Sequence, residues 1–374
     1  MSGTTETRAS TTPPSPEGGT ANPFVNSYAS GRLSRRTPWL ILAGGLLVSA
    51  AIFLFMWLAN PDSEFNIAGT VFLGVVFYGI AIYVASRLIE GSRRALDRLV
   101  TTLVTLAFTI ALLPLISLLF TVVTRGTNRL DIEFFTYSMR SVVGAGGGAA
   151  HAIYGTLLIT LAAAIISIPV GLLTSIYLVE YGRGVLARAI TFFVDVMTGI
   201  PSIVAGLFAF TLFAIFFGPG VRLGIAGSVA LSVLMIPVVV RSSEEMLRLV
   251  PNELREASYA LGVPKWLTIV KVVLPTSIAG ITTGVMLSIA RVIGETAPLL
   301  VAAGFTNNLN LDLFDGRMQS LPLFVYNSYV SQGTDPTASI DRAWAGALTL
   351  ILLVMVLNLL ARLIAKIFSP KLGR

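Results

Sequence analysis

The feature that most constrains this chain is a series of long apolar blocks that carry few or no charges. Most blocks hold about 20 residues or more, and about 20 residues of helix, rising about 1.5 Å each, cross the hydrocarbon core of a bilayer. Charged residues make up only 12% of the chain. A soluble domain carries roughly a quarter. The sequence therefore predicts a polytopic membrane protein.

Eight such blocks predict eight membrane-spanning helices, because lipid leaves unpaired backbone groups unsatisfied in any open structure. The predicted spans are residues 38–59, 67–86, 99–124, 152–179, 190–217, 223–240, 275–303 and 343–361. Before them, residues 1–37 are rich in Ser, Thr, Pro and Gly and lack apolar periodicity. We predict that these residues form a disordered tail in an otherwise all-α protein.

Lys and Arg residues are distributed unevenly between the predicted connections. With both termini on the cytoplasmic side, the inner segments hold 19 of the 26 Lys and Arg residues, as the positive-inside rule requires. The net charge of +7 then faces the cytoplasm and anionic lipid head groups. We predict a multi-pass cell-membrane protein with both termini in the cytoplasm and no nucleic-acid partner.

The composition also excludes several kinds of site. The chain has no cysteine and one histidine, His151, which excludes thiol catalysis and metal centres built from Cys or several His. No G-x-x-x-x-G-K-[ST] occurs, so the chain lacks the common phosphate loop for ATP. Residues 144–148 are glycine-rich but lack the Lys-Ser/Thr that follows such a loop, and we predict a flexible loop there that does not bind phosphate. We expect no catalytic residue, metal or cofactor in this chain.

Two stretches are predicted to interrupt the helical pattern. Gly199-Ile200-Pro201 should kink or restart the fifth span, with Asp195 in a structural role beside it. The aromatic stretch 320–330 either dips into the membrane or meets an extracellular partner.

The segment 241–274 is the longest polar stretch between spans on the predicted cytoplasmic side. Pro251 suits the first turn of a helix, and Gly262 supplies its C-terminal stop. Small and apolar residues recur between them at helical spacing, namely Leu254, Ala257, Ser258 and Leu261. We predict a short helix over 251–262 that lies along the membrane surface. It is either an ordinary interfacial helix or a docking helix for a groove of another protein.

This helix carries a recognisable motif. Glu256-Ala257-Ser258, three residues, Gly262, nine residues, Val272, one residue and Leu274-Pro275 resemble the EAA signature of ABC importer permeases. Ser258 stands in place of the second Ala of that signature, and Val272 in place of Ile. Similarity extends to TGIPSIVAGLF (198–208), PVVVRSSEEMLRLVPNELREASYALGVPKW (237–266) and ARVIGETAPLL (290–300). These stretches resemble the A-type permease of the phosphate-specific transport (Pst) system.

The resemblance implies a six-helix type I ABC permease core over residues 99–374. Two extra transmembrane helices over residues 38–98 precede it and have no counterpart in that family. The implied function is translocation of inorganic phosphate into the cell by a subunit without a nucleotide site of its own. Glu256, Ala257, Ser258 and Gly262 would couple it to an ATPase that binds ATP and Mg. The implied partners are a C-type permease, two ATPase subunits and an extracytoplasmic phosphate-binding protein.

The seventh predicted span carries Arg291 and Glu295, although a charge at mid-bilayer costs about 2.5–3.5 kcal/mol. Counted from the start of the span, Arg291 lies about 24 Å along the helix, in the outer half of the bilayer or near its middle if the helix tilts. Its four-residue spacing from Glu295 puts both on one face, where they either form a structural ion pair or an anion station. The resemblance favours the anion station. We predict that Arg291, Glu295 and Thr296 line the substrate path, and that Pro298 breaks the helical hydrogen bonding beside them.

Other function classes remain open. The EAA pattern also fits an ABC importer permease for another oxyanion or small solute. A secondary anion carrier or channel would show more ionisable residues in its spans and no docking helix. A membrane enzyme acting on lipid phosphates would need clustered Asp, His or Arg at one membrane face, and the sequence shows no such cluster.

Overall fold

The computed structural model describes residues 33–34, 36–59 and 66–368 of the chain. Within these residues the regular structure is entirely helical. Seven helices are long and apolar enough to cross a membrane, and one sharply bent pair raises the number of spans to as many as eight. The predicted all-α polytopic membrane protein is confirmed. Nearly all of the predicted disordered tail over 1–37 lies outside the described residues.

The α-helices of this described part are numbered in chain order. They are α1 (Thr37–Ala59), α2 (Ile67–Ile89), α3 (Ser92–Gly126), α4 (Ile132–Thr136), α5 (Ala150–Ile176), α6 (Val185–Thr198), α7 (Ser202–Phe217), α8 (Gly224–Arg248), α9 (Asn252–Ala260), α10 (Lys265–Thr268), α11 (Leu274–Val292), α12 (Ala297–Ala302), α13 (Leu321–Val330) and α14 (Pro336–Phe368). Two π-helical segments, Tyr177–Tyr181 and Ile269–Val273, directly follow α5 and α10. The chain divides into two compact units between Ile116 and Ser117, within α3.

The first unit contains α1, α2 and the first part of α3. Glycines let α1 and α2 approach closely, because a Cβ on Gly45 would lie 2.8 Å from the carbonyl oxygen of Gly74. The Ser49 hydroxyl donates a hydrogen bond of 2.6 Å to the carbonyl oxygen of Thr70 on the other helix. Large apolar side chains remain exposed along both helices, as lipid-facing spans require. The predicted assignment of residues 38–98 to a separate helix pair stays a prediction.

The second unit is built around α5 and α8, which pack along their length. Small residues bring these helices and α12 together: Gly171 faces the side chain of Val239, and Gly227 faces Leu299 and Ala303. The surrounding core is apolar and fully buried at Ile159, Ala163, Leu231, Met235 and Val292. This helix pair is the scaffold from which the candidate site extends.

The fifth predicted span, over 190–217, is two helices rather than one. The axes of α6 and α7 are bent by 109° at a break between Thr198 and Ser202. Proline lacks a backbone N–H and restricts the residue before it, so Pro201 stops α6. The predicted interruption at Gly199-Ile200-Pro201 is confirmed.

The seventh predicted span is also interrupted, and the prediction of one continuous helix over 275–303 is wrong. The apolar helical stretch covers Lys265–Val292. After it, residues 293–296 leave the helix, and α12 begins at Ala297 with Pro298 in its first turn. Pro298 cannot donate a hydrogen bond to a preceding carbonyl, which costs nothing in the first turn of α12, so the helix restarts there. The break falls at Glu295 and Thr296, two of the residues predicted to line the substrate path.

Candidate functional site

The short helix predicted over residues 251–262 is present as α9. Pro251 is its N-cap, one position before the predicted first turn, and Leu261 is its C-cap. Gly262 then takes φ +76, in the left-handed region that glycine adopts without strain. The backbone N–H of Val263 closes the end by donating to the carbonyl oxygen of Ser258 at 3.2 Å. The helix and its stop are therefore confirmed.

The predicted coupling residues lie on two sides of α9. Glu256, Ala257 and Gly262 are exposed, and the side chain of Leu261 beside them is 83% exposed. Ser258 is buried, with its hydroxyl 2.8 Å from the hydroxyl of Thr268 on α10. Ser258 therefore does not belong to the exposed face of α9, because the helix turns it toward the protein.

Arg255 lies on the inward side of α9 and joins three elements. Its Nε and Nη2 donate to Oε1 of Glu180 at 3.0 and 2.9 Å. Nη2 also donates to the carbonyl oxygen of Leu247 at 3.0 Å, and Nη1 to that of Val250 at 2.6 Å, at the end of α8. Only 12% of the Arg255 side chain and 5% of the Glu180 side chain are exposed. The two residues are 75 positions apart, so no local sequence pattern indicates this pair.

Glu180 belongs to the π-helical segment Tyr177–Tyr181 that continues α5. Lys265 of α10 donates from Nζ to the carbonyl oxygen of Glu180, and its Nζ lies 4.7 Å from the ring centroid of Tyr181. On the other side, Thr268, the hydroxyl partner of Ser258, directly precedes the second π-helical segment, Ile269–Val273. Two π-helical segments therefore flank α9, and π-helical turns occur frequently at functional sites.

The predicted substrate-path residues lie at the break between α11 and α12. Arg291 is exposed in the last turn of α11, where a cation complements the helix dipole. Glu295 and Thr296 lie in the break and are partly exposed. Arg291 forms no ion pair with any carboxylate in the described part of the chain. The pairing with Glu295 that the four-residue spacing allows is absent, because the helix ends between the two residues.

A second charged cluster joins α6 to α8. Arg241 donates from Nη2 to Asp195 and from Nη1 to Oε2 of Glu244 at 2.9 Å. Arg248 donates to Oε1 of the same Glu244 at 2.6 Å. The Asp195 side chain is 59% exposed, whereas that of Glu244 is almost fully buried. Asp195 therefore ties the end of α6 to α8, in agreement with its predicted structural role.

The glycine-rich loop 144–148 lies at the opposite end of α5. Arg342 donates to the carbonyl oxygens of Gly144 and Gly146 at 2.7 and 3.0 Å, and Arg129 donates to that of Gly147 at 3.0 Å. An anion site presents N–H donors, whereas this loop turns acceptors toward two guanidinium groups. This arrangement agrees with the prediction that the loop does not bind phosphate.

Comparison with known proteins places the chain in a family. Residues 167–374 match the family described as "Binding-protein-dependent transport system inner membrane component". The chain is 49% identical over 276 residues to "Phosphate transport system permease protein PstA 1" of Mycobacterium tuberculosis (strain ATCC 25618 / H37Rv), which covers 73% of this chain and 88% of that protein. The chain belongs to the PstA permease family. It is also 50% identical over 280 residues to "Phosphate transport system permease protein PstA" of Mycobacterium leprae (strain TN), covering 74% and 90%.

Similarity to a solved structure bears on the fold of this PstA-family permease. It matches a chain of a bacterial ABC transporter involved in the import of the acidic polysaccharide alginate, with a TM-score of 0.52 and 12% identity. The match covers 76% of this chain and all of that one. The type I ABC permease fold is therefore confirmed. As a permease subunit, the chain has no catalytic site of its own and works with a separate ATPase and a binding protein.

Proposed function

We propose that this chain is the membrane permease subunit through which an ATP-driven importer brings inorganic phosphate into the cell. The observation that carries the proposal is the 49% identity over 276 residues to a phosphate transport system permease. An importer subunit of this kind needs an exposed surface for an ATPase and a polar path through its helices. The exposed face of α9 and the break after α11 supply candidates for each.

The proposed assembly contains this chain, a C-type permease, two ATPase subunits and an extracytoplasmic phosphate-binding protein. ATP and Mg bind the ATPase subunits, and both termini of this chain face the cytoplasm together with α9. The distribution of Lys and Arg supports that orientation. Glu256, Ala257 and Leu261 are accessible for docking, because none of them is buried within the chain.

The proposed phosphate path passes Arg291, Glu295 and Thr296. A guanidinium presents a planar fork of donors that matches phosphate oxygens, and its charge persists at any physiological pH. Arg291 forms no ion pair within the described residues, so this charge is available to an anion. Glu295 reduces the positive field four residues away, which favours release, since a transport site must bind weakly enough to let the ion leave.

The test is uptake of labelled phosphate at low external phosphate, in cells whose other phosphate importers are deleted. The complete transporter is expressed with or without this chain, and uptake is repeated after ATP depletion and with excess sulfate. We expect uptake that requires the chain and ATP and resists sulfate. Transport of sulfate instead of phosphate would support another oxyanion permease, and uptake that survives ATP depletion would support a secondary carrier.

Docking of the ATPase is tested by co-purification. Leu261→Asp places a charge on the exposed end of α9 and should reduce recovery of the ATPase with the chain. Leu311→Asp is the matched control, because Leu311 is also exposed but lies in the loop after α12, away from α9. Equal recovery with both variants would argue against α9 as the docking helix.

A further inference from the structure

We infer that Arg255 is a positioning residue that transmits the movement of α9 to α5 through Glu180. The π-helical segment Tyr177–Tyr181, which contains Glu180, is the point at which this movement reaches α5. The inference rests on the proposed function, because it takes α9 as the segment that an ATPase moves. It concerns the inward side of α9, where the Arg255 side chain is only 12% exposed.

The first support is the number of bonds that one buried guanidinium makes. Arg255 donates to Glu180, Leu247 and Val250 within 3.0 Å, so its Nε and both Nη groups are engaged. A side chain held from several directions cannot rotate away without breaking charge-assisted bonds in a buried site. Displacement of α9 must therefore move Glu180 and the end of α8 with it.

The second support is that two residues hydrogen-bond to Glu180. Arg255 holds its carboxylate, while Lys265, beyond the stop at Gly262, holds its carbonyl oxygen. The segments before and after the stop thus converge on one residue at the end of α5. A movement of the whole α9–α10 turn reaches α5 at this point.

The third support is the local geometry of the joint. A π-helical turn accommodates one more residue than an α-turn, with bonds from residue i to i+5. Its conversion to α-helix would shift the register of the joined helix by one residue, a rotation of about 100° and a rise of about 1.5 Å. Because Gly171 of α5 packs against Val239 of α8, movement of α5 would displace side chains in the core of the second unit.

The experiment uses the complete transporter reconstituted in proteoliposomes with the phosphate-binding protein. Phosphate uptake and ATP hydrolysis are measured on the same vesicles. Arg255→Ala and Glu180→Ala should each lower the phosphate carried per ATP about tenfold, a change of the size that the loss of one hydrogen bond to a charged group produces. ATP hydrolysis and the amount of bound ATPase should stay near those of the unchanged chain. The double variant should be no worse than the poorer single variant, because the two residues act as one unit.

Arg183→Ala is the matched control, since Arg183 is exposed, lies three residues after Glu180 and forms no ion pair with a described residue. Arg183→Ala should leave the amount of phosphate carried per ATP unchanged. Arg255→Lys keeps the charge but loses the fork, and should fall between the unchanged chain and Arg255→Ala. If Arg255→Ala lowers the amount of assembled transporter, Glu180→Gln gives the same readout with a side chain of equal size.

A normal ratio of phosphate to ATP in Arg255→Ala, or in Glu180→Gln where that variant is used, would overturn the inference. So would a proportional fall of uptake and hydrolysis, which indicates lost docking. Absence of phosphate uptake with the unchanged chain would instead overturn the proposed function. The ratio would then be measured with the solute that the complete transporter carries, and the same criteria would apply.

Discussion

Arg255 and Arg291 are two arginines of the same unit that differ in burial and in whether they form an ion pair. The Arg255 side chain is buried and donates to a carboxylate and two backbone carbonyls. Arg291 is exposed at the end of α11 and forms no ion pair within the described residues. An arginine whose donors are used inside the chain holds elements together, whereas one without an ionic partner remains available to a ligand or another subunit.

The comparison of the two arginines also shows that spacing along a helix is a weak predictor of which residues form ion pairs. Glu295 follows Arg291 by four residues, yet the two form no ion pair, because the helix ends at Val292. Arg255 finds its carboxylate 75 residues away, where the end of α5 meets α9. Tertiary position, rather than sequence distance, decides which arginine is neutralised.

The largest effect that tests this contrast is expected for Arg291→Gln. Gln keeps polarity but removes the charge and the fork, so phosphate uptake should fall more than about tenfold. Membrane abundance and co-purified ATPase should not change, because Arg291 makes no ion pair with a described residue. The measurement is labelled-phosphate uptake at matched abundance, with Arg93→Gln, an exposed arginine of the first unit, as control. Full uptake by Arg291→Gln would mean that Arg291 is not needed in the phosphate path and has a structural role.

A second prediction compares how much two ion pairs contribute to the stability of the folded chain. Glu180→Ala leaves Arg255 buried without its carboxylate, and should lower the free energy of unfolding by about 3 kcal/mol. Asp195→Ala breaks the pair with Arg241, in which the acid is mostly exposed, and should cost less than about 1 kcal/mol. Denaturant unfolding of the purified chain in detergent measures both. Equal losses would mean that burial does not separate the two pairs.

The sequence predicts features of this protein that are set within a few residues. Each long apolar block became a helix or a helix pair, because the need to satisfy backbone groups in lipid acts on every block alone. The limits of α9 were predicted from Pro251 and Gly262 for the same reason, since a proline and a left-handed glycine act on their own turn.

The features that sequence patterns missed depend on where helices meet. The direction of Ser258 follows from the position of α10, and the Arg255–Glu180 pair from the position of α5. Pro298 is an intermediate case. It was predicted to break the helical hydrogen bonding, but the end of α11 at Val292 and the restart of the helix at Ala297 were not predicted. The assignment of Arg291, Glu295 and Thr296 to the substrate path stays a prediction.

A third prediction uses an ion pair in the first unit, in which Glu90 is buried and Arg98 is partly exposed. Arg98 donates to Glu90 at 2.6 and 2.9 Å, and this hydrogen bonding, partly opposed by burial, lowers the pKa of Glu90 from 4.5 to about 2. Because the pKa is lower in the folded state, Glu90 stabilises the fold fully above pH 4.5, and this contribution is lost as the pH falls toward 2.

The measurement is the unfolding temperature of the purified chain and of Glu90→Gln between pH 6 and pH 2.5. Glu90→Gln should be less stable at pH 6, and the difference should shrink steadily below pH 4.5. Asp97→Asn, which alters an exposed neighbour that forms no ion pair with a described residue, controls for general acid effects. A difference that does not depend on pH would show that Arg98 does not act on the charged form of Glu90.

The smallest effect is expected for Ser258→Ala, which restores the alanine of the EAA signature. The substitution removes one hydroxyl contact, and Thr268 can still donate to the carbonyl oxygen of Pro264 at 3.4 Å. A single hydrogen bond contributes about 1 kcal/mol, so stability should change by no more than that. Phosphate carried per ATP should be unchanged, in contrast to Arg255→Ala on the same helix. Loss of coupling in Ser258→Ala would instead place transmission on the side of α9 that faces α10 and the π-helical segment Ile269–Val273, and Arg255 would then serve only to anchor the helix.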